Sequence, residues 1–346
     1  MLNKKIRFII LSLLIVALVV MSGCGKEPAQ TKSPDSEEKT EQKTEEKYVL
    51  KAGHDQSTEH YYHRGLEKFK EIVESKTNGN ITVELYPLSQ LGSQRSVVEG
   101  VATGTVEMYI TNTMTLSSWV PEIGVFDLPY IFADRAQAYK ILDGEIGTEL
   151  VNKMEGSGIK VLAYFENGFR QMTSNKPLRT PADLVGVKIR VPESPVYIDT
   201  FTAMGAAPTP LAFNELFTAL QTKIVDGQEN PAGHAVVNRF YEVQDYINKT
   251  NHIYTAEPLI INLDLWNNMS DEYKQIIQDA AIEARDYERK LSSDEEAANF
   301  EALKEAGMEV IESDIAAFKE SVKPVYEKYN DVHGETLKRI EEELAN

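Results

Sequence analysis

The chain has 346 residues, with 36 Lys plus Arg against 54 Asp plus Glu and a formal net charge of −18. That acidic excess argues against a phosphate backbone as partner, so no nucleic acid is expected. A hydrophobic share of 42% supports a sizeable core, and a single cysteine rules out an intramolecular disulfide.

Lys4, Lys5 and Arg7 precede an apolar run from Phe8 to Val20. The run is short for a membrane-spanning helix of ~20 residues, so residues 1–23 read as a secretory leader. Met21-Ser22-Gly23-Cys24 follows and resembles a bacterial lipobox, although Met replaces the more usual Leu at its first position. Cys24 is therefore expected to be lipidated and to become the mature N-terminus; a free surface thiol is the alternative. Residues 26–47 carry five Lys, seven acids, Pro28 and Pro34, with no aromatic or branched aliphatic side chain. Such a segment cannot bury a core, and residues 24–47 read as a disordered tether.

From Tyr48 onward helix and strand patterns alternate, which predicts an α/β fold. Tyr48–Ala52 alternates as an opening strand, and Tyr62, Leu66, Phe69 and Val73 share one helical face. A strand is expected at 81–86, a helix at 92–103 with Val97, Val98 and Val101 inward, and a strand at 106–110. One helix is predicted over 134–154, then strands at 159–165 and 187–191. Thr180-Pro181-Ala182-Asp183 reads as a helix start, with Thr as cap and Pro in the first turn. A helix at 214–221 and an extended run at 253–265 follow. From Ser270 to about Ala306 the pattern is one long helix, and two shorter helices are expected at 315–329 and 333–344.

Three short pieces carry the functional signal: GFRQMTSN (168–175), VKIRVPES (187–194) and DGQENP (226–231). Arg170 and Arg190 lie in β-like runs, and Asn230 lies in a turn. A guanidinium matches a carboxylate with two parallel hydrogen bonds, so the three could form a carboxylate clamp. Surface exposure, or pairing with local acids such as Glu166 and Glu193, is the commoner fate of an arginine.

Together with Thr180–Arg190 (TPADLVGVKIR) and Gly205–Phe213 (GAAPTPLAF), these pieces resemble the signature of solute-binding proteins of TRAP (tripartite ATP-independent periplasmic) transporters, DctP type. The resemblance extends from about Tyr48 to the C-terminus. It implies a two-domain periplasmic-binding-protein-like α/β fold with a central ligand cleft and a long helix crossing both domains. The expected domains are 48–168 with 256–295, and 169–255 with 296–346. It also implies a receptor for a small organic anion, with no cofactor, that serves a permease of one small and one large membrane subunit. Arg190 would grip the ligand carboxylate, Arg170 and Asn230 would assist, and Phe213 would pack on the ligand body. Asp55, Gln94 and Asn112 are expected on the first-domain wall, with Arg95 beside Gln94 and His54 at its border. Asn112 and Thr115 stand where the sialic-acid-binding branch would carry an acid and an arginine, which argues against that sugar. A sugar acid such as a uronate or aldonate is expected first, and a C4-dicarboxylate next. The protein is expected to be a monomer on the outer face of the cell membrane.

Two other classes compete. His54, His60 and His63 near Asp55 and Glu59 could mark a metal-binding surface lipoprotein, although transition-metal sites draw ligands from several segments. An enzyme is not expected, because no G-x-S-x-G, H-E-x-x-H, G-x-x-x-x-G-K-[ST] or G-x-G-x-x-G occurs.

Overall fold

The computed structural model describes residues 46–345. The expected leader, Cys24 and all but the last two residues of the expected tether lie outside them. In chain order the first half comprises β1 (Tyr48–Gly53), α1 (Tyr61–Lys76), β2 (Ile81–Tyr86), α2 (Gln94–Thr103), β3 (Met108–Ile110), α3 (Thr113–Leu116), α4 (Arg135–Leu142), α5 (Glu145–Asn152) and β4 (Ile159–Phe169). The middle contributes β5 (Gln171–Ser174), α6 (Pro181–Leu184), β6 (Lys188–Val191), α7 (Pro195–Ala203), β7 (Ala207–Pro210), α8 (Leu216–Gln221), β8 (Gly227–Asn230), α9 (Ala232–Val237) and β9 (Tyr246–Lys249). The chain closes with β10 (Tyr254–Asn262), α10 (Leu263–Asn268), α11 (Asp271–Glu305), β11 (Glu309–Glu312), α12 (Ile315–Ser321) and α13 (Lys323–Ala345).

The strands form two sheets, ordered β2-β1-β3-β10-β4 and β11-β9-β5-β8-β6-β7. In the first, β1 runs parallel to β2 and β3, while β10 runs antiparallel to β3 and β4. In the second, β6 is parallel to β7 and β8, and β5 is antiparallel to β8 and β9. The chain leaves the first sheet at Phe169 and enters the second at Gln171, so Arg170 sits at the crossing. It returns between Lys249 and Tyr254, where Tyr254 pairs with Phe169 and the Arg170 N–H donates to the Ile253 carbonyl at 2.9 Å. The two crossing segments thus run side by side, the geometry of a two-segment hinge.

The 35-residue α11 makes a third connection, about 50 Å long at ~1.5 Å per residue. It packs on α1 and β4 of the first lobe and on α9 and β11 of the second. The Ser270 side chain caps its start by accepting from the Tyr273 N–H. Ile277, Ala280, Ala281 and Ala284 form a buried apolar stripe, and the small size of its three alanines lets α1 pack closely. On α1, Tyr62, Leu66, Phe69 and Val73 are all buried as the periodicity predicts, each full apolar burial contributing about 1.5–3 kcal/mol.

The helix expected at 134–154 and the C-terminal pair depart from the sequence expectation. The helix predicted over 134–154 breaks at Asp143-Gly144. A Cβ on Gly144 would lie 2.6 Å from the Lys140 carbonyl oxygen, and one on Gly147 would lie 1.9 Å from that of Leu142. At the same break, Asp143 turns to α11 and accepts from Arg289 at 2.6 and 3.0 Å. The C-terminal pair divides at Val322 rather than near 330, because Pro324 has no N–H to donate and fits only a helix's first turn. His333, expected to open the last helix, is instead buried inside α13 and stacks on Tyr329.

Candidate ligand-binding site

Both sheets present the carboxyl ends of their parallel strands to one cavity of about 70 Å³, the usual ligand position in open α/β sheets. Asp55 follows β1, Gln94 opens α2, and Asn112 follows β3 while capping α3 through the Thr115 N–H at 2.8 Å. These residues are wired together. Asn112 Nδ2 donates to Gln94 Oε1 at 2.5 Å, Gln94 Nε2 donates to Asp55 Oδ2 at 2.5 Å, and Gln56 Nε2 donates to Asp55 Oδ1 at 2.9 Å. The network fixes their rotamers before any ligand arrives. Burial raises the Asp55 carboxyl, although the Gln56 and Gln94 amides and Arg190 oppose the rise.

The opposite wall holds the two arginines, and they differ. Arg170 is 2% exposed and pairs with Glu229 of β8 through Nε, while its Nη2 donates to Glu229 Oε1 at 2.9 Å, the Glu229 carbonyl at 2.7 Å and Asn230 Oδ1 at 2.9 Å. Tyr197 lies with its ring centroid 5.4 Å from the guanidinium, and His252 Nε2 sits 3.1 Å from Glu229 Oε2. Burial alone would raise the Glu229 carboxyl, yet the Arg170 charge and the His252 and Arg170 hydrogen bonds hold it below its ordinary value. Burial would likewise depress Arg170, but Glu229 keeps it above its usual value.

Arg190 of β6 is 3% exposed and has no carboxylate in ion-pair range among the described residues. Its Nε and Nη2 donate to the Leu211 carbonyl at 2.9 and 2.6 Å, and the Phe213 ring centroid lies 5.9 Å from its guanidinium. Burial, joined by the like charge of Arg170, lowers it to about 10 against the pull of Glu229 and Asp55. It is still a cation at neutral pH, lining a cavity without a counter-ion. Such a group is costly until an anion arrives.

Seven expected residues therefore meet at the cavity: Asp55, Gln94 and Asn112 on one wall, and Arg170, Arg190, Phe213 and Asn230 on the other. Arg95 also lines it, and its Nε lies 3.4 Å from Glu99. His54 is not among the lining residues; it is buried against His63, Nε2 to Nδ1 2.9 Å. His60 belongs to a different pair, with His234 at 3.3 Å, so the three expected histidines do not converge. No group of three metal-ligating side chains occurs among the described residues. Glu166, the local acid that the competing reading offered to the arginines, pairs instead with Arg135. Sequence reasoning missed Glu229, which stands inside the DGQENP piece, and also Tyr62, Asn167, His234 and Glu257, which line the cavity. Tyr62 shows only as helix core in the periodicity, and Glu257 only as part of an extended run.

Two α/β lobes joined by paired crossing strands, closing over a cavity with a buried uncompensated guanidinium, define a two-domain solute-binding protein. The sequence pattern of bacterial extracellular solute-binding protein family 7, the DctP type, matches residues 52–331, and the chain belongs to that family. It is 36% identical over 275 residues to the 2,3-diketo-L-gulonate-binding periplasmic protein YiaO of Escherichia coli K12, covering 79% of this chain and 84% of that protein. It is 33% identical over 306 residues to the C4-dicarboxylate-binding periplasmic protein DctP of Rhodobacter capsulatus, covering 87% and 92%. A TRAP periplasmic solute-binding protein from Polaromonas sp. JS666, solved bound to D-erythronate, superposes with a TM-score of 0.83 at 36% identity, covering 85% of this chain and 98% of that one. These are extracellular or periplasmic solute-binding proteins, not enzymes.

Proposed function

We propose that the protein binds a monocarboxylate sugar acid in this cavity and delivers it to a TRAP permease of one small and one large membrane subunit. The observation that carries the reading is Arg190, a buried cation whose only hydrogen-bond acceptor among the described residues is a backbone carbonyl. With Nε and Nη2 engaged on Leu211, its Nη1–Nη2 edge is the one that would grip the ligand carboxylate. Arg170, already neutralised by Glu229, assists and holds Asn230 in place, and Phe213 packs on the ligand body. Asp55, Gln94 and Asn112 face the hydroxyls. The relatives named for a diketo sugar acid or bound to D-erythronate support this class, and the Rhodobacter relative keeps C4-dicarboxylates as the alternative.

In this reading the lobes comprise 48–168 with 256–295 and 169–255 with 296–346, and the ligand draws them together about the paired crossing strands. Lipidation of Cys24 tethers a monomer to the outer face of the membrane. The test is a thermal-shift panel of aldonates, uronates and C4-dicarboxylates. A ligand at ~100 times its dissociation constant adds about 2.7 kcal/mol. Stabilisation by sugar acids that disappears in Arg190→Ala supports the reading. A response confined to dicarboxylates overturns the ligand class, and sugar-acid binding untouched by Arg190→Ala overturns the clamp.

A further inference from the structure

The first-lobe side of the cavity contains buried polar groups that the protein itself leaves unsatisfied. Glu257 of β10 is 2% exposed, and its Oε1 accepts from Asn167 Nδ2 at 3.0 Å while Oε2 has no partner. Asn167 Oδ1 and the Tyr62 hydroxyl meet no partner either, although Tyr62 is close enough to Glu257 to pull its carboxyl down. All three residues line the same cavity as Arg190. Unmet buried polar atoms are uncommon in native structures, and three on one wall of a ligand cavity point to a group supplied from outside.

The charge on this wall limits what that group is. Its acids are Glu257 and Asp55, and the cation that acts on Glu257, Arg170, is already committed to Glu229. Arg95, the other cation lining the first-lobe side, pairs with Glu99 at 3.4 Å, so a second ligand carboxylate beside Glu257 would find no unpaired counter-charge. A hydroxyl or keto oxygen would find donors and acceptors together. We infer that Glu257, with Asn167 and Tyr62, forms the subsite that receives the uncharged, hydroxyl-bearing end of the ligand and so selects hydroxylated monocarboxylates over dicarboxylates. This rests on the carboxylate reading of Arg190. Burial and the adjacent Asp55 push the Glu257 carboxyl well above its ordinary range, with Tyr62, Arg170 and Asn167 only partly offsetting them. That shift favours the protonated acid, which donates as well as accepts. A site built around a ligand hydroxyl rejects the analogue lacking it, because the protein groups are then left buried and unpaired.

The experiment titrates the full chain at pH 7 with three four-carbon probes: D-erythronate, butanoate and succinate. Wild type is expected to prefer D-erythronate to both others by about tenfold or more, the scale of one buried hydrogen bond. Glu257→Leu should lower D-erythronate affinity by about tenfold and leave butanoate within about threefold, whereas Glu257→Gln, whose amide still donates and accepts, should keep most of the preference. Succinate binding to wild type as tightly as D-erythronate, or an unchanged preference in Glu257→Leu, overturns the subsite. So does an equal loss in both variants with a lowered melting temperature, which marks a packing role. Arg190→Ala separates the two readings: probes that bind it as they bind wild type overturn the carboxylate clamp itself, whereas loss of all three in Arg190→Ala beside an unchanged Glu257→Leu overturns the subsite alone.

Discussion

Arg170 and Glu229 form a fully buried ion pair at the point where the chain passes from one sheet to the other. Arg170 is the single residue between β4 and β5, and Glu229 sits on β8, which pairs with β5. The pair thus ties the hinge crossing to the strand that presents Asn230. It also spends the charge of one arginine inside the protein, which leaves Arg190 as the buried cation available to a ligand.

The first prediction concerns that pair. Glu229→Gln leaves the Arg170 charge buried without compensation, and breaking a buried pair from one side costs about 3–5 kcal/mol. The double variant Arg170→Met/Glu229→Leu removes both charges and should regain much of that loss. Chemical denaturation of wild type and the two variants checks this. A single-variant loss below about 1 kcal/mol would mean that the pair is solvated in solution.

Arg190 should behave in the opposite way. Removing an unpaired buried cation costs the apo protein little, so Arg190→Ala should melt within a few degrees of wild type while losing ligand binding by about a hundredfold or more, as for truncating one side of a buried charge pair. Arg190→Lys keeps the charge but not the planar fork, and should recover only part of the affinity. Calorimetric titration with D-erythronate is the measurement. An Arg190→Lys variant that binds like wild type would replace bidentate recognition with simple charge attraction.

How much of this was legible in the sequence follows from what each residue does. The long helix was readable almost to the residue, 270–306 against Asp271–Glu305, because its cap and its uninterrupted helix-forming composition are local signals. The cavity residues Arg170, Arg190 and Asn230 were readable because several motifs occur in one order. The division of labour between the arginines was not. It depends on which of them meets Glu229, and strand pairing between β5 and β8, 59 residues apart in the chain, decides that. Likewise, Glu166 looked like a neighbour of Arg170, but alternation along β4 sends it towards α11. Glu257 gave no periodic signal at all, since every residue of β10 is buried.

A pH prediction follows from Asp127, which lies in the turn of 3₁₀ helix after α3. It is fully buried, its Oδ1 accepts from Thr113 Oγ1 at 2.6 Å, and its Oδ2 has no partner. Burial raises its carboxyl to about 7, against the Thr113 hydrogen bond and the Arg170 charge. A folded-state pKa above the unfolded one means that the native state holds the proton more tightly. The resulting stability is present in full below about pH 4 and is lost as pH rises to about 7. Asp127→Asn removes this dependence. The melting temperature of wild type minus that of Asp127→Asn should therefore fall between about pH 4 and pH 7 and level off above. A difference that is flat, or that rises across this window, would place the carboxyl in contact with water.

The last prediction concerns how the scaffold helix is locked to the hinge strand. Glu166 on β4 is 0% exposed and accepts from Arg135 Nε at 2.8 Å, Ser292 Oγ at 2.7 Å, Tyr254 OH at 3.1 Å and Tyr139 OH. Its backbone N–H donates to Glu288 of α11 at 2.9 Å. One carboxylate thus gathers donors from α4, β10 and α11, elements that share no local sequence. Glu166→Gln is nearly isosteric, but its amide presents two N–H groups where four donors converge, so at least one buried donor loses its acceptor. With a charge-assisted network lost as well, the cost should be about 2–4 kcal/mol. Ser292→Ala removes one donor only, leaves the carboxylate satisfied by the rest, and should cost about 1 kcal/mol. Hydrogen exchange locates the effect: Glu166→Gln should raise exchange in the middle of α11 more than at its ends. Uniform loosening along α11 would mean that the apolar stripe against α1, not this carboxylate, sets the position of the helix.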